Sequence, residues 1–164
     1  MQEPEKVLAG TLPAKKKQMR ELPTAAEVIA AVKGTDVELP ALLAMCCSLR
    51  MSEVRGLRYQ DVKKGVLTVR RTLLTVSGES VLREQNKTYD STRRITLPPY
   101  LVRLIGCGAP EDFIVPLSGE VIYKHFTRAI SATGLPHMRF HDLRHLNASV
   151  MLALGIPEKY AMER

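Results

Sequence analysis

The sequence predicts an α+β fold that is mainly α, a helical domain with a small three-stranded antiparallel sheet on one edge. Three observations predict it. Apolar residues recur at helical spacing near 24–34, 118–134 and 141–154. Between 65 and 97 the period changes to two. A length of 164 residues with 45% hydrophobic content suits one domain with a real core.

The first helix has a clear start. Thr24-Ala25-Ala26-Glu27 has the form of a capping box, in which the threonine and the glutamate each satisfy the other's backbone N–H. Val28, Ile29 and Val32 follow, and Gly34 closes the helix. Pro40 opens a second helix. Its apolar residues Leu42, Leu43, Met45 and Cys46 are nearly continuous, so it should be buried, and Arg50 lies at its end. A short helix follows from Ser52, its expected N-cap, with Glu53 in the first turn.

In the sheet region, Val66, Thr68 and Arg70 alternate with Leu67, Val69 and Arg71. Val81, Arg83, Ile95 and Leu97 are also strand-like. Breaks at Ser77-Gly78-Glu79 and at Lys87-Thr88-Tyr89-Asp90-Ser91 read as turns and place Lys87 on a hairpin tip. Pro99 to Ile105 is a short helix. Ser118 caps a longer one with an apolar stripe of Val121, Ile122, Phe126, Ala129 and Ile130, ended by Gly134-Leu135-Pro136. The last main helix runs from about His141 to Leu154. Leu143, Leu146, Val150 and Leu154 cluster on one side, and His141, Arg144 and His145 lie on the other. Gly155 stops it, and Pro157 begins another.

Residues 1–22 are not domain-like. They mix Pro4, Gly10 and Pro13 with Lys15-Lys16-Lys17 and Arg20, and read as a basic linker ahead of a domain over 23–164. The net charge of +7 favours a polyanionic partner. Three cysteines, two of them adjacent at Cys46 and Cys47, make neither a disulfide framework nor a C-x-x-C pair, which fits a reducing cytoplasm. No apolar run reaches membrane-spanning length, and residues 1–22 hold no apolar signal core.

The chemistry concentrates in Phe140-His141-Asp142-Leu143-Arg144-His145, with Arg50 and Lys87. At a spacing of three on a helix, His141 and Arg144 leave one face. Two arginines, a histidine and a lysine, without a carboxylate cluster, suit a phosphate. Arginine donates two parallel bonds to phosphate oxygens. Lysine can deliver a proton, and histidine can do either job. His137, His141 and His145 are spaced by four. Pro136, however, sets His137 ahead of the helix, and Asp142 is the only acidic ligand near, so no metal site is expected. His145 is expected to support the site or to pack.

These residues and their order resemble the catalytic domain of the tyrosine site-specific DNA recombinases, the phage integrase family, from about Leu22 to Arg164. A family segment of the form G-L-R-x-S-E-x-x-x-L-x-x-x-D reads here Ser48-Leu49-Arg50-Met51-Ser52-Glu53 through Leu57 to Asp61. The family then has a hairpin lysine and an S-x-R-x-[IV]-x-L-P run, here Lys87-Thr88 and Ser91 to Pro98. Last comes H-x-L-R-H, here His141 to His145. Each piece alone is weak, and the three in this order are specific. The family continues with a Gly-His or Gly-Trp pair and the tyrosine nucleophile. Tyr160 precedes the place where that pair would fall and is expected to pack rather than attack. The resemblance thus implies a stretch cut before the nucleophile, which binds DNA but does not cleave it alone.

The resemblance implies site-specific recombination through a 3′-phosphotyrosyl intermediate, with no cofactor or metal. It implies double-stranded DNA as partner, a monomer when alone and a homotetramer on DNA as the full-length parent. Arg50 and Arg144 would hold the non-bridging oxygens, Lys87 would protonate the leaving oxygen, and His141 would assist. Glu53 would orient Arg50 or His141, or serve only as a first-turn helix carboxylate. Lys15, Lys16, Lys17, Arg93, Arg94 and Arg139 are the further cations expected on DNA. Two other classes compete: a DNA-binding module that never cleaves, and a metal-dependent phosphoesterase. The intact set Arg50, Lys87, His141 and Arg144 argues against the first, and the lack of an acidic cluster against the second.

Overall fold

The computed structural model describes residues 21–84 and 92–153, with the backbone alone for 148 and 150–153. The readings placed on Lys15, Lys16, Lys17, Lys87, Leu154, Gly155, Pro157 and Tyr160 lie outside these residues.

Helix α1 (Ala25–Val32) is capped as its sequence predicts. The Thr24 hydroxyl accepts the Glu27 N–H at 3.3 Å, and the Glu27 carboxylate accepts the Thr24 N–H at 2.8 Å. Helix α2 (Glu38–Cys46) is buried almost all round, from Pro40 through Met45. It packs against α1 and, as the later elements return, forms the centre of the domain. Helix α3 (Met51–Gly56) follows a sharp turn at Ser48, whose φ of 53° is left-handed.

Two local expectations are corrected here. Arg50 does not end α2, which stops at Cys46. Ser52 does not cap α3; Arg50 is the N-cap residue. The reason is Glu53. From the third helical position its carboxylate reaches back to the Arg50 N–H at 2.7 Å, so the helix start needs no hydroxyl.

Among the described residues five strands come next: β1 (Val62–Lys63), β2 (Val66–Val69), β3 (Arg71–Val76), β4 (Glu79–Glu84) and β5 (Arg93–Thr96). A three-stranded antiparallel sheet is present, as expected, but its strands are β1-β2-β5: it gains Val62–Lys63, which the periodicity does not mark, and excludes Val81 and Arg83. Strands β3 and β4 form a separate two-stranded hairpin, which the periodicity alone merges into one region. The break falls at Arg70. Consecutive strand residues normally point to opposite faces. Arg70 and Arg71 instead both reach the buried Asp61, each at 2.8 Å, and the strand bends between them. The β3–β4 turn is Ser77-Gly78, both with positive φ (51° and 85°), the form that matches hairpin twist.

Helix α4 (Pro99–Ile105) and helix α5 (Gly119–Ala132) have the expected limits, and the Ser118 hydroxyl caps α5 through the Val121 N–H at 3.2 Å. On α5 the stripe faces inward through Ile122, Phe126 and Ile130. Phe126 meets Phe140 edge to face at 5.5 Å. Helix α6 (Leu143–Ala153) starts two residues later than expected. His141 stands before it, in a 3-10 turn over Phe140–Asp142, because Asp142 bonds back to the Arg139 N–H at 2.9 Å. Leu143 and Leu146 are buried against α2, and the Asn147 amide ties α6 to the Cys46 carbonyl at 3.1 Å.

Candidate functional site

The site is built around one buried carboxylate. Glu53 has 1% of its side chain exposed. One oxygen accepts the Arg50 N–H at 2.7 Å and the other accepts Arg93 Nη2 at 2.7 Å. Arg50 Nη1 stands 3.7 Å from that second oxygen. A carboxylate this deep is tolerable only with such partners. Glu53 is therefore both the helix cap and an orienter of arginines. Its anchoring of α3 is helped by Gly56, where a Cβ would lie 2.9 Å from the Arg71 carbonyl oxygen, so only glycine lets α3 lie this close to β3.

Arg144 comes to the same place from α6. Its half-buried guanidinium is held below its ordinary pKa, first by burial and then by the charge of Arg50. Glu53 pulls the other way, and Arg93 adds to the push. Its buried Nε has no partner among the described residues. Two guanidiniums thus pair with one carboxylate while a third, Arg144, lies within reach of its charge, and the positive excess faces outward: the Arg50 side chain is 60% exposed. Such a node can hold a phosphate and stabilise charge that grows on its oxygens.

His141 is exposed and borders a recess of about 240 Å³ with Leu49 and Met51, the residues on either side of Arg50. Its ring meets that of His145 edge to face at 5.9 Å. His145 is exposed too, and lies on a different hollow, against Leu22 to Ala25. Among the described residues, no three His, Cys, Asp or Glu side chains come together as a metal would need.

The remaining expected cations separate. Arg93 belongs to the node, not to the outer surface. Arg94, its neighbour on β5, is exposed on the opposite face. Arg139 is largely exposed, and its guanidinium grips Asp142 through Nε at 3.2 Å and Nη2 at 2.8 Å. Sequence reasoning missed two supports. Asp61 holds Arg58, Arg70 and Arg71, and Asn147 fixes the helix that carries Arg144. Asp61 closes the motif segment, which was the available signal; nothing in the sequence marked Asn147.

Residues 14–164 match the profile of the phage integrase family. The chain belongs to that family. It is 28% identical to the integrase of Mycobacterium phage L5 over 161 residues, 87% of this chain and 43% of that protein. Its fold is that of the Tn1549 transposon integrase in complex with transposon right end DNA, with a TM-score of 0.69 at 20% identity, covering 88% of this chain and 58% of that one. It is also similar to a lambda integrase tetramer bound to a Holliday junction, with a TM-score of 0.61 at 21% identity, covering 93% and 48%. The chain spans about two-fifths of the length of the curated relatives it matches. Among its described residues no helix of this integrase-family chain is long and apolar enough to cross a membrane.

Proposed function

We propose that the protein breaks and rejoins double-stranded DNA at specific sites, through a 3′-phosphotyrosyl intermediate. The observation that carries this reading is the arginine node on Glu53, open to solvent through Arg50 and joined by Arg144 from the far end of the domain. A tyrosine oxygen attacks the scissile phosphorus, and the bond to the 5′-oxygen breaks. Negative charge gathers on the non-bridging oxygens, where Arg50 and Arg144 meet it. Lys87 gives its proton to the leaving 5′-oxygen, and His141 assists proton transfer. A 5′-hydroxyl from a partner strand then attacks the linkage and frees the tyrosine. The phosphodiester energy stays in the covalent bond, so no nucleotide cofactor is needed. Tyr160 is not proposed as the attacking residue.

Glu53 and Arg93 act through Arg50 rather than on the phosphate. Lys15, Lys16, Lys17, Arg94 and Arg139 add contacts to the DNA backbone. The working assembly is four copies on DNA, in the cytoplasm, assembled from a protein that is monomeric when alone.

The test uses the full-length protein and duplex DNA from the flanks of its own gene. The expected product is a protein–DNA adduct that survives denaturing electrophoresis, disappears with protease and is absent with Arg144→Ala. Binding should weaken steeply with salt, because phosphate contacts release counterions. Tight binding with no adduct on any such DNA would make the protein a non-cleaving binding module instead.

A further inference from the structure

A second guanidinium lies apart from this node, with no carboxylate paired to it among the described residues. Arg55 on α3 is 6% exposed. Its Nη1 donates to the Leu73 carbonyl at 3.3 Å and to the Thr75 hydroxyl at 3.2 Å, both neutral acceptors. Its buried Nε has no partner, and no carboxylate pairs with it among the described residues. Buried charges are normally paired.

Its neighbour sharpens the imbalance. Gly119 opens the 14-residue helix α5, and a Cβ built there would lie 3.5 Å from Arg55 Nη1. The positive end of a helix dipole therefore abuts a positive side chain. First-turn amides have no partner inside their own helix, and the Ser118 hydroxyl takes only that of Val121. Arg55 and this helix start border one cavity of about 610 Å³, with Ser52, Thr75 and Ser80 around it. Glu120 also borders it, but its exposed carboxylate pairs with Lys124 at 2.6 Å.

We propose that this cavity is a second phosphate-binding site, in which Arg55 and the N-terminus of α5 hold one phosphate group apart from the Arg50–Arg144 node. Guanidinium, hydroxyls and helix amides all donate, and a phosphate accepts from several at once. Met51 borders both this cavity and the recess beside His141, so the site adjoins the proposed DNA surface. The phosphate comes from a DNA strand or from a free anion. The site itself does not rest on the recombination reading; only the DNA source does.

Inorganic phosphate is the first probe, titrated into the 15N-labelled full chain while the Arg55 Nε–H and Gly119 amide resonances are followed. Both should shift saturably, and Arg144→Ala should leave the titration unchanged. Arg55→Gln should abolish it, but Arg55 also anchors β3, so that variant can unfold. Gly119→Ala is the second variant. Its φ is not left-handed and its new contacts of 3.4 and 3.5 Å are ordinary, so the fold should hold. Its methyl would sit 3.5 Å from Arg55 Nη1 at the first residue of the helix, and phosphate should bind about tenfold more weakly or worse, the worth of one charge-assisted bond. Duplex DNA is the second probe. If it moves the same two resonances and phosphate then adds nothing, DNA is the source; if phosphate titrates as before, the source is a free anion. Shifts that never saturate, shifts lost in Arg144→Ala, wild-type binding by Gly119→Ala, or acetate saturating at the same concentration as phosphate would each overturn the proposal.

Discussion

Arg93 donates to the Glu53 carboxylate across 2.7 Å and so joins strand β5 to the start of α3. The same carboxylate caps the helix that presents Arg50. One buried anion therefore sets where two arginines stand and offsets part of the repulsion that Arg144 feels.

Glu53→Gln keeps the size of the side chain and removes its charge. The variant should lose about 2–4 kcal/mol of stability, because the Arg93 guanidinium is left half-buried without its anion. The urea midpoint should fall with an unchanged slope. A loss below about 0.5 kcal/mol, the ordinary effect of a surface change, would show that the node does not depend on this charge.

The turn before the site carries its own strain. Ser48 sits at φ 53° between the buried Cys47 and Leu49, a conformation that costs a side-chain-bearing residue about 1–2 kcal/mol. Ser48→Gly should gain about 0.5–1 kcal/mol after the extra freedom of glycine in the unfolded chain is subtracted. Ser48→Val should lose more than that, since branching at Cβ worsens the clash. Thermal unfolding of the two variants side by side gives the answer, and equal midpoints would contradict the strain.

What was legible in the sequence was what is decided within a few residues. Thr24 and Glu27 cap α1, Ser118 caps α5, and Pro99 to Ile105 is a helix, because each signal lies next to the structure it controls. The misses come from contacts between distant segments. Nothing near Arg70 says that Asp61 draws both it and Arg71 off the strand line. Arg93 and Arg94 look alike in sequence; only the pairing of Val69 with Arg93 turns one inward to Glu53 and the other out. Ser52 is a good cap residue that lost to Glu53, which sits three residues after the true cap and can reach back. The arginines and histidine of the site were named because three motifs stand in order, whereas Arg55 carries no motif and is distinguished only by its burial.

Acid should loosen the turn that holds His141. The Arg139 side chain, bonded to Asp142, is the main reason that carboxyl lies below its ordinary pKa, and burial opposes it. A carboxyl depressed in the folded state contributes stability that is complete above its unfolded value, near about 4, and is lost as pH falls through the folded value. Stability should therefore decline below about pH 4. Asp142→Asn should be less stable at neutral pH and should decline less steeply in that acid range. Urea midpoints from neutral pH downward measure both. A difference between the two proteins that stays constant with pH would mean that the Arg139–Asp142 pair contributes no proton linkage.

The assignment of Lys87 and Arg144 to separate jobs can be tested on the full-length protein with one atom of the substrate changed. Lys87→Ala should fail on ordinary DNA, because the leaving 5′-oxygen must take up a proton. It should recover when that bridging oxygen is replaced by sulfur, since a thiolate leaves without one. Arg144→Ala should fail on both substrates. In the proposed step its guanidinium meets charge on the non-bridging oxygens, which develops whatever atom departs. Its DNA affinity should change little, because that charge grows only in the transition state. Adduct formed per unit time on the two substrates, with binding measured alongside, gives four numbers. Rescue of Arg144→Ala by sulfur, with Lys87→Ala still inactive, would exchange the two roles.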